Sequence, residues 1–488
     1  MKYSSFVCLS CLLVAIFNPV QCLSEGLFGK LVRLATGGND NTNPKKHKNK
    51  RSRDKNSQPH DYPTTKLSNG INFPLVGMGV GNMNPRVVPA IISHGLKDDR
   101  NIRLIDTAHV SQNEFLVAKG IIEGVDRLVG TAKAGETFEV HVTTKIWYTH
   151  LGYDRTLLAI KDSLHNFQEA IDHPNVDLKL HVLLHWPRCY EQIPWMDCAG
   201  EEASLPSEVK EAGQAPHLDP ENAWKGSWKA LEEVVTDTTN DVASIGVSNF
   251  HRKELEELTS IAKILPHIVE TDTWSLLYDP LLIEFCHKKN IHIIAYHLMQ
   301  GTISKAREAP FATHHLLSVA NDITKEMRSN GLLSEEDSKD ITAAQVVLSW
   351  LVQHSISVIP MTTDLYHLRE NSATALTEIP PMDDDKVRVV AQSVEALISG
   401  EDLTEDAFVT LTFHAKTKDV FLYWHDPEFG GEIEVAKIQK GKSFEESSHP
   451  GHQFRIYYEG DGDNVSQDGK MELFTVSGNY GEHRHIEL

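Results

Sequence analysis

The segment LIDTAHVSQNE, Leu104 to Glu114, pairs a short apolar run with an acidic residue, Asp106, at the end of that run. Seven other short apolar runs lie along the chain, and amphipathic segments of helical length separate them. The eight predicted strands are Pro74–Gly79, Arg103–Asp106, Glu139–Trp147, Asp177–His185, Ser244–Ser248, His267–Asp272, Ile291–His297 and Ser357–Pro360. This alternation predicts a closed parallel (β/α)8 barrel of the α/β class.

Candidate catalytic groups follow from that architecture, because functional side chains of such barrels lie at the C-terminal ends of the strands. The polar residues that fall at those ends are Asp106, Lys145, His185, Ser248, Asn249 and Tyr296.

Seven sequence blocks stand in a fixed order over roughly three hundred residues. They are LSNGINFPLVGMGVG (67–81), LIDTAHVSQNE (104–114), VTTKIW (142–147), LLHWP (183–187), IGVSNF (245–250), IIAYHL (293–298) and VIPMTTDLYHLREN (358–371). In this order the blocks resemble the aldo-keto reductase family, NADP-dependent oxidoreductases built on a TIM barrel. The resemblance implies hydride transfer from a nicotinamide cofactor to an aldehyde or ketone, with a tyrosine as proton donor.

The tyrosine position of the family is occupied by Ser111, whereas Asp106, Lys145 and His185 match the aspartate, lysine and histidine. A neighbouring ammonium brings a phenol towards its working range, but an aliphatic hydroxyl is a far weaker acid and reaches less far. General acid catalysis contributes roughly a hundredfold to ten-thousandfold. We therefore expect impaired or lost reductase activity.

Two questions about this site stay open in the sequence. His109, Tyr148 or His150 could supply a relocated acid, or they are ordinary loop residues. Asp106 and Lys145 could serve catalysis, or they form a buried ion pair that has outlasted the reaction.

The expected cofactor is NADP or NAD, bound weakly. By resemblance, Ser248 and Asn249 would hold the nicotinamide carboxamide and Tyr296 would stack on the ring, while Ile268 replaces a glutamine contact. The last block should bind phosphate and adenine through lysine, serine, arginine, glutamate and asparagine. Its positions here are Met361, Thr362, His367, Glu370 and Asn371, so both cations are lost.

Four segments are predicted: a signal peptide at 1–22, a disordered basic linker at 23–63, the barrel at 64–400 and a small antiparallel β-sandwich at 405–488. The leader has an apolar run of signal-peptide length, which implies the secretory pathway or the cell exterior; an uncleaved signal anchor is the alternative. The run KKHKNKRSR, Lys45 to Arg53, reads as a solvated linker or a proprotein-processing site, and a nuclear signal fits poorly behind a leader.

Cys189 and Cys198 lie close together in a long loop after the fourth strand, a plausible disulfide in an oxidising compartment. That loop, from Pro187 to about Asn222, is expected to act as a lid or a partner surface. Cys286 should be a buried free thiol, and pairing between chains is the alternative. Asn464 begins a glycosylation acceptor pattern.

From about Phe408 the pattern changes to alternating strands, and five are predicted: VTLTFHA, KDVFLYWHD, EIEVAKI, HQFRIYYEG and KMELFTV. The stretch DVFLYWHDPEFGGEIEVAKIQKGKSFEESSHPGHQFRIY resembles the β domain of von Hippel-Lindau-type proteins. The resemblance implies a protein-binding or packing module with no catalytic residue. The final residues, with His483 and His485, are assigned to a frayed tail, and no metal site is predicted there or at His449 and His452.

The formal charge of −21 disfavours nucleic acid as a partner. We expect no stable membrane span in the mature chain, a small carbonyl substrate, and a protein partner through the C-terminal sandwich. Two hypotheses result: an oxidoreductase of the aldo-keto reductase type with an unusual proton donor, or a catalytically inactive barrel that acts as a binding or interaction module.

Overall fold

The computed structural model describes residues 62–130, 136–302, 305–333, 340–400, 402–403, 409–425, 432–448, 452–458, 471–477 and 482–488. The predicted leader, nearly all of the basic linker, the acceptor Asn464 and His449 lie outside the described residues. The chain divides into two compact units, residues 1–400 and 401–488.

The described part of the first unit opens with an antiparallel hairpin, β1 (Thr64–Lys66) and β2 (Asn72–Pro74). Eight strands then form one parallel sheet in chain order: β3 (Gly77–Gly79), β4 (Leu104–Asp106), β5 (Phe138–Ile146), β6 (Val176–Leu184), β7 (Val242–Ser248), β8 (Ile268–Asp272), β9 (His292–Tyr296) and β10 (Ser357–Val358). The first and last strands meet, because Val76 pairs with Val358 and the Val358 amide donates to the Leu75 carbonyl at 3.0 Å. The predicted eight-stranded parallel barrel is confirmed.

Helices follow the strands on the outside of the sheet, as a right-handed crossover requires. They are α1 (Val88–Gly95), α2 (Glu114–Val129), α3 (Tyr153–Ile171), α4 (Cys198–Ser204), α5 (Ser207–Glu211), α6 (Ala223–Thr236), α7 (Arg252–Ile261), α8 (Thr273–Tyr278), α9 (Pro280–Lys288), α10 (Leu298–Gly301), α11 (Pro310–Ser329), α12 (Ala343–Gln353), α13 (Leu365–Glu370), α14 (Ala373–Glu378) and α15 (Asp384–Ser399).

Helix α3 illustrates how the sequence sets these elements. It starts directly after Gly152, whose φ of +107° suits a residue without a side chain. Its apolar face repeats at three- and four-residue steps, so that Ile160, Phe167 and Ala170 are buried together. Fully burying a side chain such as Phe167 stabilises the barrel by about 1.5–3 kcal/mol.

The second unit consists of two sheets around one apolar core. Its strands are β11 (Val409–His414), β12 (Val420–His425), β13 (Glu432–Ile438), β14 (Ser443–Ser448), β15 (Gln453–Tyr458), β16 (Met471–Thr475) and β17 (His483–Glu487). The sheets run in the orders β14-β11-β17 and β13-β12-β15-β16. Alternating side chains of β11, from Val409 to Phe413, pack against Leu422 and Phe454 of the facing sheet.

Strands β14 and β17 are additions to the five predicted strands. The expectation of a frayed C-terminal tail was wrong, because β17 pairs in parallel with β11 from Thr410 to His414. Backbone pairing with a buried neighbour overrides the polar composition of the tail. Among the described helices, none has the length and apolarity that crossing a bilayer requires.

Candidate active site

Lys145 and Asp106 come together at the C-terminal ends of two neighbouring strands, β5 and β4. Lys145 Nζ lies 2.5 Å from Asp106 Oδ1 and donates to the Thr107 carbonyl at 2.9 Å. The Thr143 hydroxyl donates to the same Asp106 oxygen at 2.5 Å. Both charged side chains are buried, which makes their pairing obligatory.

Glu270 of β8 is a third charged member of this cluster, and sequence reasoning missed it. Its Oε1 lies 3.2 Å from Lys145 Nζ, and the residue is only 3% exposed. The signal was available, because Glu270 directly follows the apolar pair Ile268-Val269 within the predicted strand, and a buried carboxylate is rare unless it is paired.

The charges of the cluster shift its titration. Burial lowers the pKa of Lys145, but the Asp106 and Glu270 carboxylates outweigh it and raise that pKa above its ordinary value. Burial and the Asp106 charge raise the pKa of Glu270 to about 8, against the opposing effect of Lys145. Lys145 is therefore positively charged at neutral pH, whereas Glu270 is protonated and uncharged.

Ser111 ends a short 3-10 helix, His109–Ser111, that follows β4. Its hydroxyl lies beside Gly81, where a Cβ would stand 3.3 Å from Ser111 Oγ. The register of this segment is fixed by Asn113, which accepts a hydrogen bond from the Thr107 hydroxyl at 2.5 Å and donates to the Val80 carbonyl at 3.0 Å. Ser111 therefore lies on the rim loop that follows the second barrel strand, β4, and leads into α2.

His185 follows β6, and its backbone amide donates to the Ile146 carbonyl at 2.9 Å. Its ring packs edge-on against Trp147, with centroids 4.9 Å apart. Burial, aided by the Lys145 charge, holds the pKa of His185 well below its ordinary value. The imidazole is therefore neutral, the state in which it can donate one hydrogen bond and accept another.

The three alternative proton donors make contacts of their own. The His109 and His150 rings stand edge to face with centroids 5.0 Å apart, and burial lowers the pKa of His150 to about 4. His109 Nε2 lies 3.9 Å from an Asp162 oxygen. Burial, followed by the nearby Glu201 carboxylate, raises the pKa of Tyr148. These shifts make Tyr148 a weaker acid and His150 an uncharged one at neutral pH.

The residues predicted to hold nicotinamide cluster at the ends of β7 and β9. Asn249 Nδ2 donates to the His185 carbonyl at 2.9 Å and to Ser248 Oγ at 3.1 Å. The Tyr296 hydroxyl donates to Asn249 Oδ1. Ile268 has no exposed surface and packs in the barrel core, so that position offers no polar contact to a ligand.

The predicted phosphate block lies after β10 and leads into α13. Met361 is 57% exposed, and Thr362 Oγ1 accepts a hydrogen bond from the Asp364 amide at 3.1 Å. Asp364 caps α13 by accepting from the Tyr366 amide at 2.7 Å. Glu370 and Asn371 close the helix: the Glu370 carbonyl accepts from Gln345 at 3.3 Å, and the Asn371 amide donates to the His367 carbonyl at 2.9 Å.

The long loop after Pro187 carries the predicted disulfide, and Cys189 and Cys198 are joined. The loop contains α4 and α5 and is held to the barrel by two acidic residues of α4. Trp147 Nε1 donates to Glu201 at 2.7 Å, and Arg155 makes a two-pronged ion pair with Glu202 at 2.8 and 2.9 Å. Cys286 is free and buried, as the sequence predicted.

Comparison with known proteins is consistent with this geometry. The Aldo/keto reductase family matches residues 77–394. The 9,11-endoperoxide prostaglandin H2 reductase of Trypanosoma cruzi is 29% identical over 317 residues, which cover 64% of this chain and 85% of that protein. The glyoxal reductase of Bacillus subtilis is 28% identical over 330 residues, covering 66% and 91%.

Solved structures with a partial likeness to this chain were also found. An aldo-keto reductase of Bombyx mori in complex with NADP is 19% identical, with a TM-score of 0.46 over 68% of this chain and 92% of that one. The family match extends over well over half of the chain and takes in the barrel strands from β3 to β10. The chain belongs to the aldo/keto reductase family.

Proposed function

We propose that this protein is a secreted aldo-keto reductase-like oxidoreductase whose reduction of aldehydes or ketones is strongly impaired. One observation carries the proposal: all three protons of the Lys145 ammonium have protein acceptors, namely Asp106, the Thr107 carbonyl and Glu270. An ammonium has three donors and no more. Lys145 therefore has no N–H group left to donate to a hydroxyl group near Ser111.

The replacement of the family's tyrosine by Ser111 also lowers the expected reductase activity. The family resemblance assigns proton donation to a phenol whose acidity the lysine increases. The Ser111 hydroxyl is a much weaker acid, and the lysine that would assist it is paired with the ionised Asp106 and lies 3.2 Å from the protonated Glu270. Asp106, Lys145 and His185 are then best understood as a retained framework that orients a small carbonyl compound without an efficient proton donor.

The nicotinamide end of the cofactor fits the residues present. Ser248 and Asn249 are an amide-binding pair, and Tyr296 offers a ring for stacking. Their polar atoms are bonded to one another and to the His185 carbonyl, so a carboxamide has to displace these bonds to bind. Such an exchange of hydrogen bonds contributes little net affinity.

The phosphate end does not fit a 2′-phosphate. The exposed Met361 stands where a lysine would be, and His367 stands where an arginine would be. Asp364 also occupies the first amides of α13 with its own carboxylate and adds a negative charge. Weak binding with little preference for NADP over NAD follows from this charge balance.

The test is titration of the purified chain with NADPH and NADH, followed by quenching of tryptophan fluorescence. We expect weak and nearly equal binding of the two cofactors, and its loss in Tyr296→Ala. Tight binding, with NADPH strongly preferred, would contradict the proposal. An aldehyde screen of the loaded protein should give turnover at least about a hundredfold below that of a family enzyme with the tyrosine.

The second candidate function is a binding protein that has lost reduction altogether. It is favoured by the self-bonded state of Asn249 and by the C-terminal unit, which we propose to be a von Hippel-Lindau-like protein-binding module. Edge strand β16 exposes Met471 and Leu473, each 49% exposed. Absence of binding by either cofactor at millimolar concentration, in a chain that melts cooperatively, would select this candidate.

Secretion is supported by the leader-like apolar run of residues 6–17 and by the Cys189–Cys198 disulfide, which an oxidising compartment maintains. Expression with a C-terminal tag checks it. We expect the tagged chain in the medium or the secretory lumen, shortened at its N-terminus. Recovery of an unshortened chain in the cytosol would reject secretion.

A further inference from the structure

The interior of the barrel near the N-terminal ends of its strands is lined by histidines, which the proposed function does not use. We call His141, His181, His267 and His292 the histidine floor. His141 and His181 have no exposed surface and His267 is 6% exposed. Charged residues seldom lie inside such a barrel unpaired, so the protonation of these rings matters for the fold.

Hydrogen bonds connect two of these rings in a chain that fixes their tautomers. His141 Nε2 lies 3.1 Å from Glu139 Oε1, an oxygen that also accepts from the Tyr62 hydroxyl, so Nε2 donates to it. His141 Nδ1 must then accept from His181 Nε2 at 3.0 Å, and His181 Nδ1 accepts from the Ser244 hydroxyl at 2.6 Å. Every bond in this chain is satisfied while both rings are neutral.

Two charged rings would conflict with this arrangement. The His141 and His181 rings are nearly parallel, at 4°, with centroids 5.2 Å apart. Two cations at that spacing repel strongly inside a protein, and two N–H groups would face each other across the 3.0 Å gap. The pair can thus accommodate at most one extra proton, whereas the unfolded chain accepts two.

The histidine floor also supports the N-terminal hairpin. Phe73 of β2 is fully buried, and its ring contacts His141, His181 and His292 at centroid distances of 5.7, 5.0 and 5.3 Å. His292 Nε2 lies 2.7 Å from Ser357 Oγ, which donates to the Pro74 carbonyl at 2.8 Å. Because the Ser357 hydroxyl donates to Pro74, His292 Nε2 must donate to Ser357, and this chain of bonds joins the end of the hairpin to the histidine floor.

We propose that the histidine floor is a pH-sensitive latch, which holds the hairpin in the barrel at neutral pH and releases it on acidification. The latch is a property of the barrel and does not depend on cofactor binding or turnover. Of the other titratable groups nearby, Glu139 contacts His141 and Lys179 is a charged neighbour of His181. The Tyr62 hydroxyl donates to Glu139, and Arg103 and Asp177 are charged neighbours of Tyr62.

The direction in which stability changes with pH follows from the difference between the folded and unfolded pKa values of these histidines. Burial lowers the pKa of His292 to about 3, burial and the His141 charge hold that of His181 well below its ordinary value, and burial lowers that of His267. A histidine whose folded pKa lies below its unfolded value contributes full stability above about pH 6.5. That contribution is lost as the pH falls from about 6.5 towards the folded pKa, because only the unfolded chain takes up protons.

Thermal unfolding of the full chain tests the latch, with tryptophan fluorescence as the readout because every tryptophan except Trp424 lies in the barrel unit. Between about pH 7.5 and about pH 5 we expect the midpoint to fall by on the order of 10 °C. His292→Gln and His181→Gln should each remove a sizeable part of that fall. The matched control is His165→Gln, on the exposed face of α3.

A second measurement needs no variant. Hydrogen exchange followed by mass spectrometry should show that residues 64–76 lose protection at about pH 5 before strands β5 and β6 do. The latch is rejected if the hairpin keeps its protection down to global unfolding. It is equally rejected if both histidine variants fold and show the same fall in midpoint as His165→Gln.

Discussion

Lys145 Nζ lies 3.2 Å from the Glu270 carboxylate and 2.5 Å from that of Asp106, so one buried ammonium serves two buried acids. Two carboxylates sharing a single cation leave one negative charge uncompensated. A proton on Glu270 removes that charge, which is why burial and Asp106 raise the pKa of Glu270 to about 8. The centre of the site is thus a lysine between an ionised acid and a protonated one.

Glu270→Gln should change how stability depends on pH. Because the folded pKa of Glu270 lies above its unfolded value of about 4.5, its contribution is complete below about pH 4.5 and is lost as the pH rises towards 8. The variant has no proton to lose at residue 270. At about pH 8 we therefore expect its free energy of unfolding to be at least that of the native protein and up to about 2 kcal/mol higher. Denaturant unfolding at several pH values measures this.

The control for that experiment is Glu169→Gln, an exposed position on α3. It should leave the pH dependence unchanged. A Glu270→Gln chain that is less stable than the native one by the same amount at every pH would show that Glu270 is ionised throughout. In combination with the histidine floor, the Glu270 effect should confine maximal stability to a window around neutral pH.

Ser111→Tyr should restore part of the missing acid catalysis. A phenol at residue 111 returns the group to which the family resemblance assigns proton donation, and general acid catalysis is worth roughly a hundredfold or more. Because Lys145 is already engaged by three acceptors, we expect a smaller gain of roughly tenfold or more in kcat with an aromatic aldehyde. Oxidation of the reduced cofactor, followed by absorbance, gives the rate.

Ser111→Phe is the matched control, since it adds the ring without the hydroxyl. A gain in both variants would mean that bulk at residue 111, and not proton donation, limits the rate. A gain in neither, with cofactor still binding, would place the defect at Lys145 and direct attention to Glu270→Gln combined with Ser111→Tyr.

Met361→Lys with His367→Arg should create a preference for NADPH. Both positions are exposed at the start of α13, and each cation can form a charge-assisted contact with a 2′-phosphate. We expect NADPH affinity to rise by roughly tenfold, with NADH affinity nearly unchanged, in the fluorescence titration. Asp364→Asn should add to the effect by removing a nearby negative charge. Equal gains for the two cofactors would contradict a phosphate contact.

The barrel could be predicted because its signals are local. Strand β6 is predicted by its alternating apolar residues Val176, Leu178 and Leu180 and the apolar end Val182–Leu184, and the order of strands and helices leaves few other topologies. Asp106, Lys145 and His185 could be placed together because parallel strands end at one face of the barrel. The additional strand β17 could not be predicted, since its polar sequence becomes a strand only through pairing with β11.

The contacts of Glu270 and of the histidine floor could not be predicted from the sequence for a different reason. Whether a charged residue in a strand faces the barrel interior or a neighbouring helix depends on register, and register is a property of the closed sheet. His141 and His181 are forty positions apart, and only closure of the barrel places their nitrogens 3.0 Å from each other. Long-range polar pairing of this kind has no periodic signature.

Removal of the Cys189–Cys198 disulfide should loosen the loop and leave the barrel folded. The bridge closes a short loop, and a cross-link of that length is worth roughly 2–3 kcal/mol in the chain-entropy account. Because Glu201 and Glu202 still tie α4 to Trp147 and Arg155, we expect Cys189→Ser with Cys198→Ser to raise proteolysis between residues 188 and 222 and to lower the main melting midpoint by no more than about 10 °C. Adding Glu202→Gln should then loosen the loop further and shift the emission of Trp147, although Arg155 still donates to the Gly213 carbonyl at 2.8 Å. Cys286→Ala, which removes the buried thiol far along the chain, should affect neither readout. A double serine variant whose loop resists protease as well as the native chain would show that the contacts of Glu201, Glu202 and Arg155 hold the loop without the bridge.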